Sequence, residues 1–410
     1  FKDFLQMRRY ESYKDSGVEW LGEVPSHWDV QRSKFIFKKI ERKVNEEDQI
    51  VTCFRDGQVT LRANRRTEGF TNALKEHGYQ GIRKGDLVIH AMDAFAGAIG
   101  ISDSDGKATP VYSVCLPHNK QKIDVYFYAY YLRNLALSGF ISSLAKGIRE
   151  RSTDFRYADF AELLLPIPPY LEQQKIAQFL DDKTAKIDQA VALAENQIAL
   201  LKEHKQILIQ NTVTRGLNPD VPLKDSGVEW IGQVPEHWEV KKIKTFAKIN
   251  NGLDYKAVIA EEGYPVYGSG GQFAYANTYL YDGEAVLLGR KGTIDKPLYI
   301  NDKFWTVDTM FYCVCNNKVS TKFFYYCCCS IIPFQYYSTS TALPSMTQSD
   351  ILNHKVTFPS LEEQYQIADY LDKQTAKIDQ AIVLKTAHIE KLREYKNVLI
   401  NDVVTGKVRV

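Results

Sequence analysis

Arg55-Asp56-Gly57 is followed closely by Arg62, Arg65 and Arg66, Lys146-Gly147-Ile148-Arg149 runs on to Arg151-Ser152-Thr153, and Gly289-Arg290-Lys291-Gly292-Thr293 repeats the mixture. Arginine can form bidentate hydrogen bonds to phosphate or to the guanine edge, and glycine lets a backbone come close to a duplex. A further loop, Ser338-Thr339-Ser340-Thr341-Ala342-Leu343-Pro344-Ser345, offers hydroxyls in place of charge and can bond phosphate or base edges. The candidate DNA-binding residues are therefore Arg62, Arg65, Arg66, Lys146, Arg149, Arg151, Ser152, Thr153, Arg290, Lys291, Thr293, Ser338, Thr339 and Ser340. Each one singly fits a solvated surface equally well, so the loops carry more weight than their members.

Other chemistries find less support. The chain lacks an Asn/Asp-Pro-Pro-aromatic methyltransferase motif and a Gly-x-x-x-x-Gly-Lys-Ser/Thr loop for nucleotide phosphates. His27 and His237 have no nucleophile or metal cluster in sequence beside them, and with Trp20, Trp28, Trp230 and Trp238 they are expected to pack the start of each half. The seven cysteines, Cys53, Cys115, Cys313, Cys315, Cys327, Cys328 and Cys329, do not repeat the paired Cys-x-x-Cys of zinc modules. They are expected to be buried free thiols, with no metal, cofactor or catalytic residue in this chain.

A length of 410 residues favours two or three domains, and 44% hydrophobic with 25% charged residues is an ordinary globular composition. The formal charge of +2 neither announces nor excludes a polyanionic partner, because binding charge can be local. No apolar run reaches the roughly 18 residues of a membrane span, and the first nine residues lack the apolar centre of a signal peptide, so a cytosolic protein is expected. Met7, before Arg8-Arg9-Tyr10, reads as a native start.

The elements that must position these loops come in two copies. Lys14-Asp15-Ser16-Gly17-Val18-Glu19-Trp20-Leu21-Gly22 returns as Lys224-Asp225-Ser226-Gly227-Val228-Glu229-Trp230-Ile231-Gly232, and Pro25, His27 and Trp28 return as Pro235, His237 and Trp238. Thr184-Ala185-Lys186-Ile187-Asp188-Gln189-Ala190 likewise returns as Thr375-Ala376-Lys377-Ile378-Asp379-Gln380-Ala381. The unit is an opening motif, a variable body and a helical segment, and its period is too long for a solenoid.

In the first helical segment Ile187, Val191, Ala194, Ile198, Leu201, Lys205, Leu208 and Thr212 alternate in steps of four and three, the heptad seam of a coiled coil. Ile378, Ile382, Lys385, Ile389, Leu392, Lys396, Leu399 and Val403 keep the same rhythm in the second. Two such stripes in one chain are expected to pack on each other, with the seam lysines Lys205, Lys385 and Lys396 either fixing register or facing the ends of the partner helix. A helix over residues 171–213 would be roughly 60 Å long, enough to hold two heads a turn or so of B-DNA apart. Glu172-Gln173-Gln174 and Glu362-Glu363-Gln364 follow prolines and are read as first-turn residues that complement exposed N–H groups.

The bodies, roughly 30–165 and 240–355, hold short apolar runs such as Leu87-Val88-Ile89, Ala285-Val286-Leu287-Leu288 and Phe311-Tyr312-Cys313-Val314-Cys315, broken by Gly, Asn and Asp. This predicts an α+β head in each half. Aromatic segments at 126–132 and 323–332 are expected to be core, although a base-stacking surface is the alternative.

The Asp-Ser-Gly-Val-Glu-Trp-hydrophobic-Gly-x-Val-Pro-x-His-Trp openings (15–28 and 225–238) and the Gln-x-x-Ile-Ala-x-hydrophobic-Leu-Asp-x-x-Thr-Ala-Lys-Ile-Asp helices (173–188 and 364–379) resemble those of type I restriction-modification specificity subunits. The resemblance covers nearly the whole chain. It implies an α+β protein: two α/β target-recognition domains separated by two long antiparallel coiled-coil helices, with an internal pseudo-two-fold repeat. On that pattern target-recognition domain 1 spans 7–168 with its opening motif at 14–28, and a central helical spacer spans 169–215. Target-recognition domain 2 spans 216–358 with its motif at 224–238, and a C-terminal helical spacer spans 359–410. The implied helix–helix seam is Ile187, Val191, Ile198, Leu201 and Leu208 against Ile378, Ile382, Ile389, Leu392 and Leu399. The implied partners are double-stranded DNA, two methyltransferase subunits that use S-adenosylmethionine on adenine, and nuclease-translocase restriction subunits that use ATP and Mg2+. The competing reading is a coiled-coil assembly protein whose duplicated heads bind protein.

Overall fold

The duplicated opening motif folds as the same short hairpin in both halves. Tyr13–Asp15 pairs antiparallel with Glu23–Pro25, and Leu223–Asp225 with Gln233–Pro235. Aspartate side chains bond their own backbone two residues on, and both copies do so: Gly17 N donates to Asp15 Oδ1 and Gly227 N to Asp225 Oδ1, each at 2.9 Å. Gly17 and Gly227 take φ of +70° and +65°, which explains why each motif has glycine after Asp-Ser.

The computed structural model describes residues 8–65, 77–144, 154–330, 332 and 345–410. It divides into two units: residues 1–193 with 388–410, and residues 194–387. Four helices of ten residues or more are described: α1 (Val125–Leu137), α2 (Tyr170–Arg215), α3 (Thr321–Ser330) and α4 (Leu361–Val404).

In unit 1 the central sheet has four antiparallel strands in the order Phe37–Lys39, Tyr112–Pro117, Leu87–His90, Ile99–Ile101. Beside it lie two short ladders, Val51–Cys53 with Val59–Leu61 and Gln80–Ile82 with Gly106–Ala108. A separate ladder joins Asp29–Arg32, just after the opening motif, to Leu164–Ile167, just before α2. Two cores result. One gathers Trp28, Phe37, Phe127, Tyr128, Tyr131 and Leu132 with Ile176, Leu180 and Ile187 of α2 and Leu399 and Val403 of α4. The other, away from the long helices, gathers Val51, Cys53, Val59, Ile82, Val88 and Val114.

Unit 2 has a seven-stranded sheet in the order Ala247–Asn251, Met310–Cys315, Tyr281–Gly289, Leu298–Thr306, Tyr264–Gly268, Gly271–Ala276, Ile259–Ala260. Its first four strands repeat the connectivity of the unit 1 sheet, and the remaining three come from a segment inserted between the first and second in chain order. Glu239–Lys242 pairs with Lys355–Phe358, the counterpart of the ladder that ends at α2. One core again joins the frame to both long helices, through Trp238, Phe323, Phe324, Ile209, Val213 and Leu371. The distal core is Val266, Ala276, Ala285, Leu287, Phe304, Trp305 and Met310.

The aromatic residues of both segments fall in α1 and α3, and most turn inward (Phe127, Tyr128 and Tyr131; Phe323, Phe324 and Tyr326), whereas Tyr126 is 50% exposed. Trp28 and Trp238 are buried as expected, but Trp20 is half-buried against Phe140 and Trp230 is 42% exposed, stacked on His354 at 5.1 Å. The expectation of buried thiols also needs correcting: all seven cysteines are free, but Cys315 and Cys329 are half-buried. Both sit at or near the end of an element.

Candidate nucleic-acid interface

Each long helix opens on a carboxylate that ties the frame together. Glu172 accepts hydrogen bonds from Tyr10 Oη at 2.5 Å and Trp28 Nε1 at 3.2 Å, and pairs with His27 Nε2 at 2.8 Å. In unit 2, Glu363 accepts from Trp238 Nε1 at 3.1 Å and Ser360 Oγ at 2.7 Å, and pairs with His237 Nε2 at 2.9 Å. Burial pushes the Glu363 carboxyl up, but bonds from His237, Ser360 and Trp238 prevail and bring it down to about 2. The next residue repeats the pattern. Gln173 accepts from Asp124 N and donates to Lys122 O and Pro168 O, and Gln364 accepts from Ser320 N and donates to Lys318 O and Pro359 O. Tyr130 donates to Asp181 and contacts Thr184, as Tyr326 does to Asp372 and Thr375.

These joints differ from what the sequence predicts, which is first-turn acidic residues serving helix N–H groups and histidines serving packing. Glu172 instead turns its carboxylate to the opening motif, and Glu363 serves both the opening motif and its own helix start. The joint duplication of His-Trp and Glu-Gln was the signal available. The arrangement is structural: in each unit it fixes the opening motif to the start of the long helix.

Of the residues expected to form a seam, Ile187, Ile378, Ile389 and Leu399 are buried, and Val191, Ile198, Leu201, Leu208, Ile382 and Leu392 are half-buried. Within unit 1, Lys396 Nζ donates to Asp188 Oδ2 at 2.6 Å; within unit 2, Lys205 Nζ donates to Asp379 Oδ2 at 2.6 Å. Asp188 and Asp379 are the same position of the duplicated motif. Lys385 Nζ also donates to Gln197 Oε1 at 2.6 Å, so in unit 2 the α2 and α4 segments run antiparallel.

Arg62 and Arg65, the candidate contacts of the first body that are described, lie beside the distal core of unit 1. The ladder Val51–Cys53 with Val59–Leu61 is closed by a turn in which Gly57, at φ +90°, donates to Phe54 O. Arg65 Nη1 bonds Asp56 Oδ2 at 2.6 Å, and its guanidinium lies 4.4 Å from the centre of the Phe54 ring. Arg55 pairs with Asp93 at 2.7 Å, and half-buried Arg62 donates to Thr52 Oγ1 at 3.3 Å. The turn therefore brings Arg55, Arg62 and Arg65 together, but each is engaged within the head. Phosphate would have to share or displace those partners.

In unit 2, Arg290, Lys291 and Thr293 share one loop. A Cβ on Gly289 would run into the carbonyl oxygen of Thr293, so glycine is what lets the loop close. Arg290 N and Lys291 N both donate to Thr309 O, and Arg290 Nη1 donates to Asp308 O at 3.4 Å. Lys291 is exposed and Thr293 half-buried. Arg66, Lys146, Arg149, Arg151, Ser152, Thr153, Ser338, Thr339 and Ser340 lie outside the described residues.

The family model for the type I restriction modification DNA specificity domain matches residues 28–201 and again residues 235–390. The chain belongs to this family. Among relatives of the type I specificity family, a protein of Methanocaldococcus jannaschii assigned as the MjaX type I restriction enzyme specificity subunit is 24% identical, over 99% of each chain. The MjaVIII specificity subunit of the same organism is 27% identical over 71% of this chain and 72% of its own. Among solved structures, a chain from work on complex assembly and conformational transition of the type I R-M system aligns with a TM-score of 0.72 at 14% identity, covering 93% of this chain and 98% of that one. The HsdS subunit from Thermoanaerobacter tengcongensis aligns with a TM-score of 0.55 at 15% identity, covering 94% and 98%. At such identities the likeness establishes the fold, a mixed helix-and-sheet architecture with two specificity domains.

Proposed function

We propose that this chain is the DNA-reading specificity subunit of a type I restriction-modification complex, in which each specificity domain recognises one half of a bipartite target. The observation that carries this reading is the twofold family match, 28–201 and 235–390, laid over two halves that keep the same joints and differ in their distal sheets. A common frame with divergent ends suits a protein that presents two different sequence-reading surfaces from one scaffold. Backbone contacts orient each head and base-edge contacts choose the sequence.

The chain itself catalyses nothing on this reading. Two methyltransferase subunits with S-adenosylmethionine modify adenine, and restriction subunits with ATP and Mg2+ cut. The division into target-recognition domains (7–168 and 216–358) and helical spacers (169–215 and 359–410) belongs to the same proposal. So does a cytoplasmic location; none of the described helices is long and apolar enough to cross a membrane.

We further read α2 and α4 as an antiparallel coiled-coil spacer with pseudo-two-fold symmetry. The reciprocal bonds Asp188 to Lys396 and Asp379 to Lys205 support it, as does length: α2 has 46 residues, which at 1.5 Å each is about 69 Å. One turn of B-DNA is about 34 Å, so such a spacer reaches half-sites one to two turns apart.

Base-resolution mapping of adenine methylation in cells with and without this gene tests the function. A bipartite motif that disappears with the gene is expected, and an unchanged methylation map would refute the assignment. Deleting residues 192–198, one heptad of α2, is expected to alter the undefined gap between half-sites; an identical gap would remove the spacer reading. Arg62→Ala and Arg149→Ala are each expected to weaken binding of a target duplex and to lower the slope of log affinity against log salt by about 1 for each lost phosphate contact. An unchanged titration would take that residue out of the interface.

A further inference from the structure

Unit 2 has a cleft beside its distal core, lined by Tyr255, by the tip of the hairpin that joins Tyr264–Gly268 to Gly271–Ala276, and by the turn from Val307 to Thr309. Three glycines stand at this tip, and two have a reason in the fold. A Cβ on Gly268 would press on the Phe273 ring at 3.3 Å, and Gly271 has φ +106°. Gly270 differs: its φ is not positive, it is exposed, and a Cβ there would meet nothing within 4 Å among the described residues. Local structure would accept alanine, so the fold itself supplies no reason for the bare backbone there.

The neighbours of Gly270 are polar or aromatic and face outward. Gln272 is exposed, and Phe273 is 53% exposed although its ring meets Tyr255 edge-on at 5.1 Å. The opposite wall, Asp308 and Thr309, is the turn on which the Arg290-Lys291 loop is anchored. The hairpin tip and the basic loop thus share one support, with the carboxamide of Gln272 at the tip, Asp308 and Thr309 on the facing wall, and the cations of the loop anchored on that wall.

We propose that the turn Ser269-Gly270-Gly271-Gln272 is a base-reading element of the second head, with Gln272 a specificity-determining residue for an adenine. This rests on the DNA-reading function proposed above. A glutamine carboxamide offers one donor and one acceptor, the complement of the adenine N7 and N6 edge in the major groove. The uncovered backbone at Gly270 lets the turn approach the duplex closely, and Arg290 and Lys291 neutralise flanking phosphates.

The test uses the full chain assembled with its methyltransferase partner. Methylation maps and binding to a duplex oligonucleotide carrying the mapped site are compared for the unmodified chain, Gln272→Ala and Gly270→Ala, with thermal unfolding as the control for folding. Gln272→Ala is expected to relax one base position of one half-site by roughly 5- to 150-fold, with the other half-site and the gap unchanged. Gly270→Ala is expected to weaken binding by about tenfold, with the unfolding temperature unchanged. Folded variants with unaltered base preference and affinity would overturn this inference while leaving the DNA-reading function intact. A loss of methyltransferase capture at unaltered base preference would assign the turn to protein contact and overturn it as well. An unmodified chain that reads no bipartite site would bring down the function and this inference together.

Discussion

Unit 1 builds its distal region from two short ladders beside a four-stranded sheet, whereas unit 2 extends a single sheet to seven strands. Closer to the long helices the contrast vanishes: Glu172 and Glu363, Gln173 and Gln364, Tyr130 and Tyr326 make matching bonds. Hydrogen-bonded joints are discrete. Gln173 and Gln364 are fully buried, and removing one partner would strand a polar group. The distal cores are held by apolar packing, which tolerates substitution if volume and pattern are kept. The frame must therefore stay constant, while the distal sheets can diverge and carry different surfaces.

The sharpest way to break this comparison is to hollow out both frames. Trp28→Ala and Trp238→Ala remove fully buried indoles, and each is expected to destabilise its own unit by about 4 kcal/mol in urea unfolding. A loss confined to one of them would show that the frames are not equivalent. A contrast within unit 1 comes next. Asp86 is buried against Arg42, with Nη2 at 3.0 Å from Oδ1, so Arg42→Ala should cost about 3 kcal/mol by leaving the buried carboxylate without its counter-charge and with only Arg83 N, among the described residues, to bond it. Arg65→Ala breaks an exposed pair and should cost no more than about 1 kcal/mol.

The reciprocal seam bonds offer a finer comparison. Double-mutant cycles of Lys205→Met with Asp379→Asn, and of Lys396→Met with Asp188→Asn, should give coupling energies of about 0.5 kcal/mol each. Clearly unequal couplings would contradict their equivalence. The smallest effect is a matter of pH. Because the folded-state value of Glu363 lies near 2, below the ordinary glutamate value of about 4.3, its contribution is complete above roughly pH 5 and is lost as pH falls toward 2. Glu363→Gln should flatten the acid limb of the stability profile of unit 2, and an unaltered limb would show that the carboxylate is not the group responsible.

Much of this architecture was legible in the residues. Heptad spacing marked the two long helices because apolar residues in steps of four and three fall on one side of a helix over many turns. Short β-rich runs such as Leu87-Val88-Ile89 fell within strands. The joints were harder to read, since Trp28 lies 144 residues from Glu172 and periodicity says nothing about such partners. At the candidate interface the arginines stand out by charge, but nothing in the local sequence marks Asp56 and Asp93 as the partners of Arg65 and Arg55. The turn at Gly270 is not legible in the sequence, because it has no charge and its glycine acquires meaning only when the space around it is known.

One further feature bears on how the molecule is made. Unit 2 is a single stretch of chain, 194–387, whereas unit 1 is closed by 388–410, where Tyr13 Oη donates to Gly406 O across 393 residues and Gly406 lies beside Pro25 and Trp28. During synthesis from the N-terminus, unit 2 can complete its core as soon as α4 begins to emerge, while unit 1 must wait for the end of that helix. The first half to be translated is then the last to be finished, and until then the face of its core that Leu399 and Val403 cover stays open to water.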